Sequence, residues 1–416
     1  MSIGKRVKKM INRNIPKIRF KEFINNWNNY KLGQLGNFKS GIGFPDSQQG
    51  GTEGIPFFKV SDMNNIGNET EMRNANNYVT QEQIMKNSWK VINETPAIIF
   101  AKVGAALMLN RKRLVTRPFL IDNNTMSYSF DESWDKDFGL TLFQTINLPK
   151  YAQIGALPSY NASGIAMIKV NVPNVQEQSA IGSLFITIDD LLAGYKENLA
   201  NYQSLKKTML SKMFPKAGQT VPEIRLKGFE GEWEIKKFKS ISTKRGKTNS
   251  KGYDYPAYSV SNQSGLIPQS EQFEGSRLEN LEKTSYKTVG PNEFAYNPAR
   301  INVGSIAFND IEETVIVSSL YVIFSLDKSI NNNYALLFIK SPEFNKEVRR
   351  NTEGSVREYL FYENFANIRI PIPPSLEEQQ AIGSYFSNLD NLIVAHQEKI
   401  SQLETLKKKL LQDMFV

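Results

Sequence analysis

Apolar residues between 181 and 213 recur at alternating steps of four and three: Ile181, Phe185, Ile188, Leu192, Tyr195, Leu199, Tyr202, Met209 and Met213, broken only at Lys206. The series returns as Ile382, Phe386, Leu389, Ile393, His396, Ile400, Leu403, Leu410 and Met414, with Lys407 at the matching gap. This spacing predicts two long helices, each with a coiled-coil seam of about five heptads. At 1.5 Å per residue, each helix is about 55–60 Å long. A globule of about 150 residues cannot bury so long a stripe, and the most economical partner is the other copy, which matches in length and phase. Two similar halves related by a pseudo-twofold axis place those helices antiparallel, with a globule at each end of the rod.

Repetition extends beyond the helices. "IPKIRFKEFINNW" (15–27) matches "VPEIRLKGFEGEW" (221–233), pairing Arg19 with Arg225 and Trp27 with Trp233. "AKVGAA" (101–106) stands opposite "INVGSI" (301–306), a weaker match. "AIGSLF" (180–185) returns as "AIGSYF" (381–386), Glu177 and Gln178 as Glu378 and Gln379, and "MF" at 213–214 as "MF" at 414–415. Pro173, Pro373 and Pro374 punctuate the helix starts, and the Glu-Gln pairs suit a helix N-terminus. The bodies between these matched segments, roughly 30–170 and 236–370, diverge. "PAIIFAKVG", "ETVIVSSLYVIFSL" and "NIRIPIP" read as strands, and "SPEFNKEVRR" as a helix. Core packing is the expected role of both tryptophans.

The expected architecture is α+β: two pseudo-twofold-related α/β globules separated by a long antiparallel two-helix coiled coil. Its expected parts are a basic arm (1–14), a first globule (15–172), a central helix (173–216), a second globule (217–371) and a C-terminal helix (372–416).

Charge adds a partner class. Lys and Arg number 51 against 42 acidic residues, a net charge of +9, and a pI near 9.2 favours a polyanion, nucleic acid above all. Cysteine is absent, which excludes disulfides, thiolate zinc sites and cysteine nucleophiles and fits a reducing cytoplasm. The basic run "MSIGKRVKKMINRN" is followed by no apolar stretch of signal-peptide length, and no 18-residue apolar span occurs, so neither export nor membrane insertion is expected.

Catalytic motifs fail one by one. "RGKTNS" (245–250) has Ile241 where a P-loop needs its first glycine. "YNPAR" (296–300) lacks the second proline and the aromatic with which amino-methyltransferases hold a flipped adenine. "SGIGFP" (40–45) has too few glycines for an S-adenosylmethionine loop and reads as a turn. His396, the only histidine, lies on the seam as packing, and a single histidine excludes His-pair metal sites. Asp189, Asp190 and Asp390 read as a solvated helix face. No catalytic, cofactor or metal site is expected in this chain.

"VPEIRLKGFEGEW", "IPIPPSLEEQQAIGSYFSNLDNLI" and the tandem layout together resemble the specificity subunit of type I restriction-modification systems, over nearly the whole chain from about residue 15. The resemblance implies two target-recognition domains that each read one block of a split DNA sequence. It also implies helices that set the gap and dock two modification (methyltransferase) subunits and, through them, restriction subunits. S-adenosylmethionine, ATP and Mg belong to those partners. The N-terminal run has no counterpart before the second repeat, which leaves Met10 as an alternative start or the run as a basic arm.

Polar and basic residues near turns are the expected DNA contacts, since Asn and Gln suit adenine and Arg suits guanine. In the first body they are Lys59, Ser61, Asp62, Lys102, Asn110, Arg111, Lys112 and Arg113. In the second they are Ser261, Asn262, Gln263, Tyr296, Asn297, Arg300 and Asn302, with Lys244, Arg245 and Lys247 on phosphates. Two other readings stay open on the residues alone: a freestanding bipartite DNA-binding regulator, and an enzyme whose site carries no recognisable motif.

Overall fold

The computed structural model describes residues 14–153, 158–262, 265–272, 283–352 and 359–416. Most of the basic arm, with Met10, and Gln263 lie outside the described residues. The chain divides into two compact units, one comprising residues up to Lys196 together with Glu398–Val416, the other Glu197–Gln397. Helices Val175–Lys212 (the central helix) and Leu376–Asp413 (the C-terminal helix) are each 38 residues long, and the unit boundary falls inside both.

The first unit pairs Asn28–Lys31 antiparallel with Lys169–Val172. A four-stranded antiparallel sheet follows the order Gly36–Ser40, Thr125–Phe130, Ala97–Ala101, Lys112–Val115. A smaller sheet joins Tyr78–Val79, Ile55–Phe58 and Leu120–Ile121. Helix Lys136–Thr145 packs Phe138 and Phe143 into the main core beside Trp27 and Tyr128.

The second unit repeats the framework. Glu234–Lys237 pairs with Arg369–Ile372, and a four-stranded sheet follows the order Ser242–Arg245, Val322–Leu326, Phe294–Tyr296, Ile306–Phe308. Helix Asn332–Ile339 takes the place of Lys136–Thr145, burying Tyr334 and Phe338 beside Trp233. "ETVIVSSLYVIFSL" resolves into two strands, Val315–Val317 and Val322–Leu326, and "SPEFNKEVRR" into helix Pro342–Thr352. Here the small sheet is replaced by a hairpin, Tyr258–Ser261 with Gly265–Pro268, and by the pair Lys287–Val289 with Val315–Val317. The weak "VG" match has a backbone reason: Gly104 and Gly304 both adopt positive φ, 79° and 88°, which favours glycine.

Each unit contains an antiparallel helix pair. In the first, Ile188, Leu192 and Leu403 form a buried cluster with Leu184, Tyr195 and Ile400 packed against it, while Ile181 and Phe185 join the core of the globule. In the second, Ile382, Phe386 and Leu389 are core residues, Tyr202 packs against them, and Leu199, Ile393 and His396 are half-buried. The Tyr202 and His396 rings meet edge to face at 5.1 Å.

The seam lysines are not gaps but ion-pair partners. Lys407 Nζ lies 2.6 Å from Asp189 in the first unit, and Lys206 pairs with Asp390 in the second. This corrects the reading of Asp189 as part of a solvated face, since its carboxylate is largely buried against the seam by the other helix's lysine; Asp390 is paired as well but keeps about half of its side chain in solvent. A polar pair inside an apolar seam opposes slippage, because any shift leaves both charges partly buried and unpaired.

Candidate nucleic-acid interface

The framework that presents the two bodies is built twice from the same atoms. Arg19 Nε donates to Glu177 Oε1 at 2.6 Å and its Nη2 to Oε2 at 2.7 Å. Arg225 grips Glu378 the same way, at 2.7 Å on both oxygens. Both carboxylates are buried. The neighbouring glutamines lock a second point. Gln178 Oε1 accepts the Asp135 amide at 2.9 Å while its Nε2 donates to the Ser133 carbonyl, and Gln379 does the same with Asn331 and Ser329. Asp135 and Asn331 are the N-caps of the helices that follow them.

Glycine in the "AIG" phrase is explained at the same place. A Cβ on Gly182 would lie 2.7 Å from both Asp135 Oδ1 and the Phe138 nitrogen, and one on Gly383 3.2 Å from Asn333 Cβ. The Glu-Gln-Gly phrase therefore docks a globule onto a helix. The sequence reading of the Glu-Gln pair as a helix-dipole complement missed this role, although both members of the ion pair recur in the repeat, Arg19 as Arg225 and Glu177 as Glu378.

The bodies place the candidate contacts unequally. Four are withdrawn as readers because the fold engages their polar atoms internally. Asp62 is buried, and its carboxylate accepts the Lys59 and Asn76 amides at 2.8 and 3.2 Å; burial pushes it above the usual carboxylate range against those two bonds. Lys112, only 6% exposed, donates to Asn110 Oδ1 and the Ile146 carbonyl, and burial pushes its ammonium down to about 7. Asn110 sits at φ 52°, with its amide engaged by Lys112, Leu148 and Ile146. Tyr296 is buried, donates to the Leu360 carbonyl at 3.0 Å, and is pushed well above the usual phenol range by burial.

The others stand at or near the surface. Ser61 is exposed, and Lys59 and Lys102 are half-buried. Arg111 donates to Asn64 Oδ1, and Arg113 Nε donates to the Asn68 carbonyl at 2.6 Å. Those bonds tie the end of one strand to the loop 64–77, which also carries Arg73 and is touched by Arg117 through the Arg73 carbonyl. That grouping of arginines joins segments 44 to 47 residues apart and left no mark on sequence spacing.

In the second unit Lys244 and Arg245 project from strand Ser242–Arg245, and Lys247 follows it, all three exposed. Lys244 Nζ lies 2.8 Å from Glu363 and 5.8 Å from the centre of the Tyr362 ring. Lys287 joins the patch: burial lowers its ammonium, and the nearby charge of Lys244 lowers it further. Ser261 and Asn262 lie at the tip of the hairpin, and Asn297, Arg300 and Asn302 in the turn after strand Phe294–Tyr296, where Asn297 Oδ1 accepts the Ala299 amide. Basic side chains beside amide-bearing turns suit phosphate contacts flanking base edges.

No helix among the described residues is long and apolar enough to cross a membrane. The family model described as the type I restriction modification DNA specificity domain matches twice, at residues 24–229 and 230–405. The type I restriction enzyme MjaVIII specificity subunit of Methanocaldococcus jannaschii is 24% identical over 272 residues, 59% of this chain and 60% of that one. A putative type I restriction enzyme MjaX specificity subunit of the same organism is 22% identical over 294 residues, 65% and 64%. The chain thus spans less than two thirds of the length of these relatives. The crystal structure of a type I restriction-modification system S subunit from M. genitalium shares the fold, with a TM-score of 0.60 over 97% of this chain and 99% of that chain at 14% identity. Two matches that fall on the two repeats and together span most of the sequence identify the chain as a member of the type I restriction modification DNA specificity domain family.

Proposed function

We propose that this chain is the non-catalytic sequence-specifying subunit of a type I restriction-modification complex. Each globule reads one half of an asymmetric bipartite DNA target, and the paired helices fix the spacing between the halves. The observation that carries this reading is the contrast between the duplicated docking of each body on its helix and the divergence of the bodies themselves. Matching mounts with different faces suit two different half-sites at a set interval.

The helices also dock two copies of a modification subunit and, through them, restriction subunits. Leu191 and Leu406 in one unit, and Leu205 and Leu392 in the other, occupy equivalent off-seam positions and are 40–47% exposed. The register of the Asp189–Lys407 and Lys206–Asp390 pairs sets Leu191 across from Leu406 and Leu205 across from Leu392. Leucine recurring at matched exposed positions supports one partner surface bound twice. Methyl transfer from S-adenosylmethionine and the ATP- and Mg-dependent steps belong to those partners.

The test is reconstitution. The chain combined with a cognate modification subunit is expected to methylate genomic DNA at one split, asymmetric motif, read by methylation-sensitive sequencing. Methylation without sequence preference, or no complex, contradicts the proposal.

A further inference from the structure

Ile66 is 93% exposed, an unusual place for an isoleucine, and the loop that carries it is not loose. Asn68 is buried at its centre: Nδ2 donates to the carbonyls of Asp62 and Asn74 at 2.8 Å each, and Oδ1 accepts the amides of Arg73 and Asn74. Asn65 Nδ2 bridges Asn74 Oδ1 and Asn76 Oδ1, and Asn74 Nδ2 holds the Ile66 carbonyl at 3.1 Å. Buried Asp62 braces the base of the loop. The loop is thus held by its own asparagines, with Met72 buried in the core beneath it and Ile66 turned to solvent.

The surroundings define the occupant by charge. Arg111 and Arg113 are bonded to the loop at Asn64 and Asn68, Arg73 lies within it, and Arg117 is bonded to the Arg73 carbonyl. Glu69 and Glu71 are the acidic neighbours; Glu71 lies 3.8 Å from Arg73 and is bonded to Thr116. A rigid apolar tip amid four arginines matches a duplex, where guanidiniums pair with phosphates and an aliphatic wedge enters between stacked bases.

We infer that the loop 64–77 is a DNA-inserting element, with Ile66 as a wedge that partly unstacks one base step in the half-site read by the first globule, and with Arg73, Arg111 and Arg117 gripping the flanking phosphates while Arg113 braces the loop from within. The inference rests on the proposed DNA-reading role. It adds specificity through deformability, since pyrimidine–purine steps unstack most easily.

The experiment uses the full chain in complex with its modification subunit and duplexes of the methylated motif carrying 2-aminopurine at successive positions of one half-site. At positions other than the methylated adenine, which the modification subunit flips out by itself, wild type is expected to raise 2-aminopurine fluorescence at one step. Ile66→Ala abolishes that rise and weakens binding about tenfold or more, the scale of one aliphatic side chain left unburied. Ile24→Ala, at an 81% exposed isoleucine outside the arginine cluster, changes neither. Arg111→Ala lowers the slope of log affinity against log salt by about one. Unchanged affinity and fluorescence in Ile66→Ala overturns the wedge while leaving the reader role intact, as does an equal loss in Ile24→Ala. Loss of modification-subunit binding with DNA binding retained overturns it in favour of a protein contact. A wild-type complex with no sequence-dependent binding instead defeats the proposed function itself.

Discussion

Arg225 meets Glu378 edge on, two guanidinium nitrogens against two carboxylate oxygens at 2.7 Å each, across 153 residues of chain. The same guanidinium donates to the carbonyls of Glu230 and Gly231, so it joins the lead segment, its turn and the helix start in one cluster. Arg19 makes the equivalent cluster with Glu177 and Asn25. Breaking a buried pair strands the remaining charge, which costs about 3–5 kcal/mol. Arg225→Ala is expected to destabilise by that order in a chemical denaturation series. Replacing both Arg225 and Glu378 by apolar residues is expected to recover part of the loss. A loss under 1 kcal/mol in the single variant would show that the pair does not hold the mount.

Glycine in the two "AIG" phrases is expected to behave unequally. Inside a helix, Gly→Ala ordinarily gains about 1 kcal/mol. Gly182→Ala places a methyl 2.7 Å from a cap carboxylate and a backbone nitrogen, so overlap outweighs propensity and the variant is destabilised. Gly383→Ala meets its nearest atom at 3.2 Å and is expected to be close to neutral. Thermal denaturation of both variants checks the order, and a reversed order contradicts the docking geometry.

Lys112 links stability to pH. Its folded-state value of about 7 lies below the ordinary lysine value, so between those values the unfolded chain binds one more proton than the folded chain. Stability contributed by this site therefore rises as pH rises from about 7 toward 10, and below 7 the charged ammonium is carried in both states. The difference between wild type and Lys112→Met isolates the site from other titrating groups. Wild type should gain relative to the variant across that interval, by several kcal/mol at most. A pH-independent difference would contradict a neutral buried amine.

The seam pairs are expected to matter more for register than for strength. Lys407→Leu removes a charge from a mostly buried position facing Asp189, and Lys206→Leu does the same before Asp390. Apolar replacement of such a pair, with Asp changed to Ala as well, is near neutral or stabilising. Asp189→Ala alone leaves Lys407 unpaired and is expected to lower stability by about 1–2 kcal/mol. Equal melting temperatures for the single and double variants would show that the pair is solvent-screened.

Much of the framework was legible because it is written twice. The heptad steps, Trp27 with Trp233 and the paired "MF" ends all mark positions that the fold uses in both units: Met414 and Phe415 pack with Trp27, and Met213 and Phe214 pack with Trp233. The partners of those positions were not legible. Glu177 looks like any acid near a helix start until Arg19 is brought to it, and Lys206 looks like a break until Asp390 faces it. The contact residues were harder still. Strand Lys112–Val115 is buried on both sides, with Leu114 in one core cluster and Val115 in another, and nothing in "NRKRLV" says that Lys112 is sealed inside while Arg113 reaches the loop. Ile66, the most exposed apolar residue in its loop, carries no periodicity to read, because its position depends on side-chain bonds from Asn65, Asn68 and Asn74.

The central claim is that two independently mounted bodies each read their own half of one DNA site. The most direct measurement exchanges residues 30–170 for the corresponding body of a related chain and sequences the methylated motif produced with the same modification subunit. One half of the motif should change while the other half and the gap stay fixed. A change in both halves, or in neither, would contradict the account.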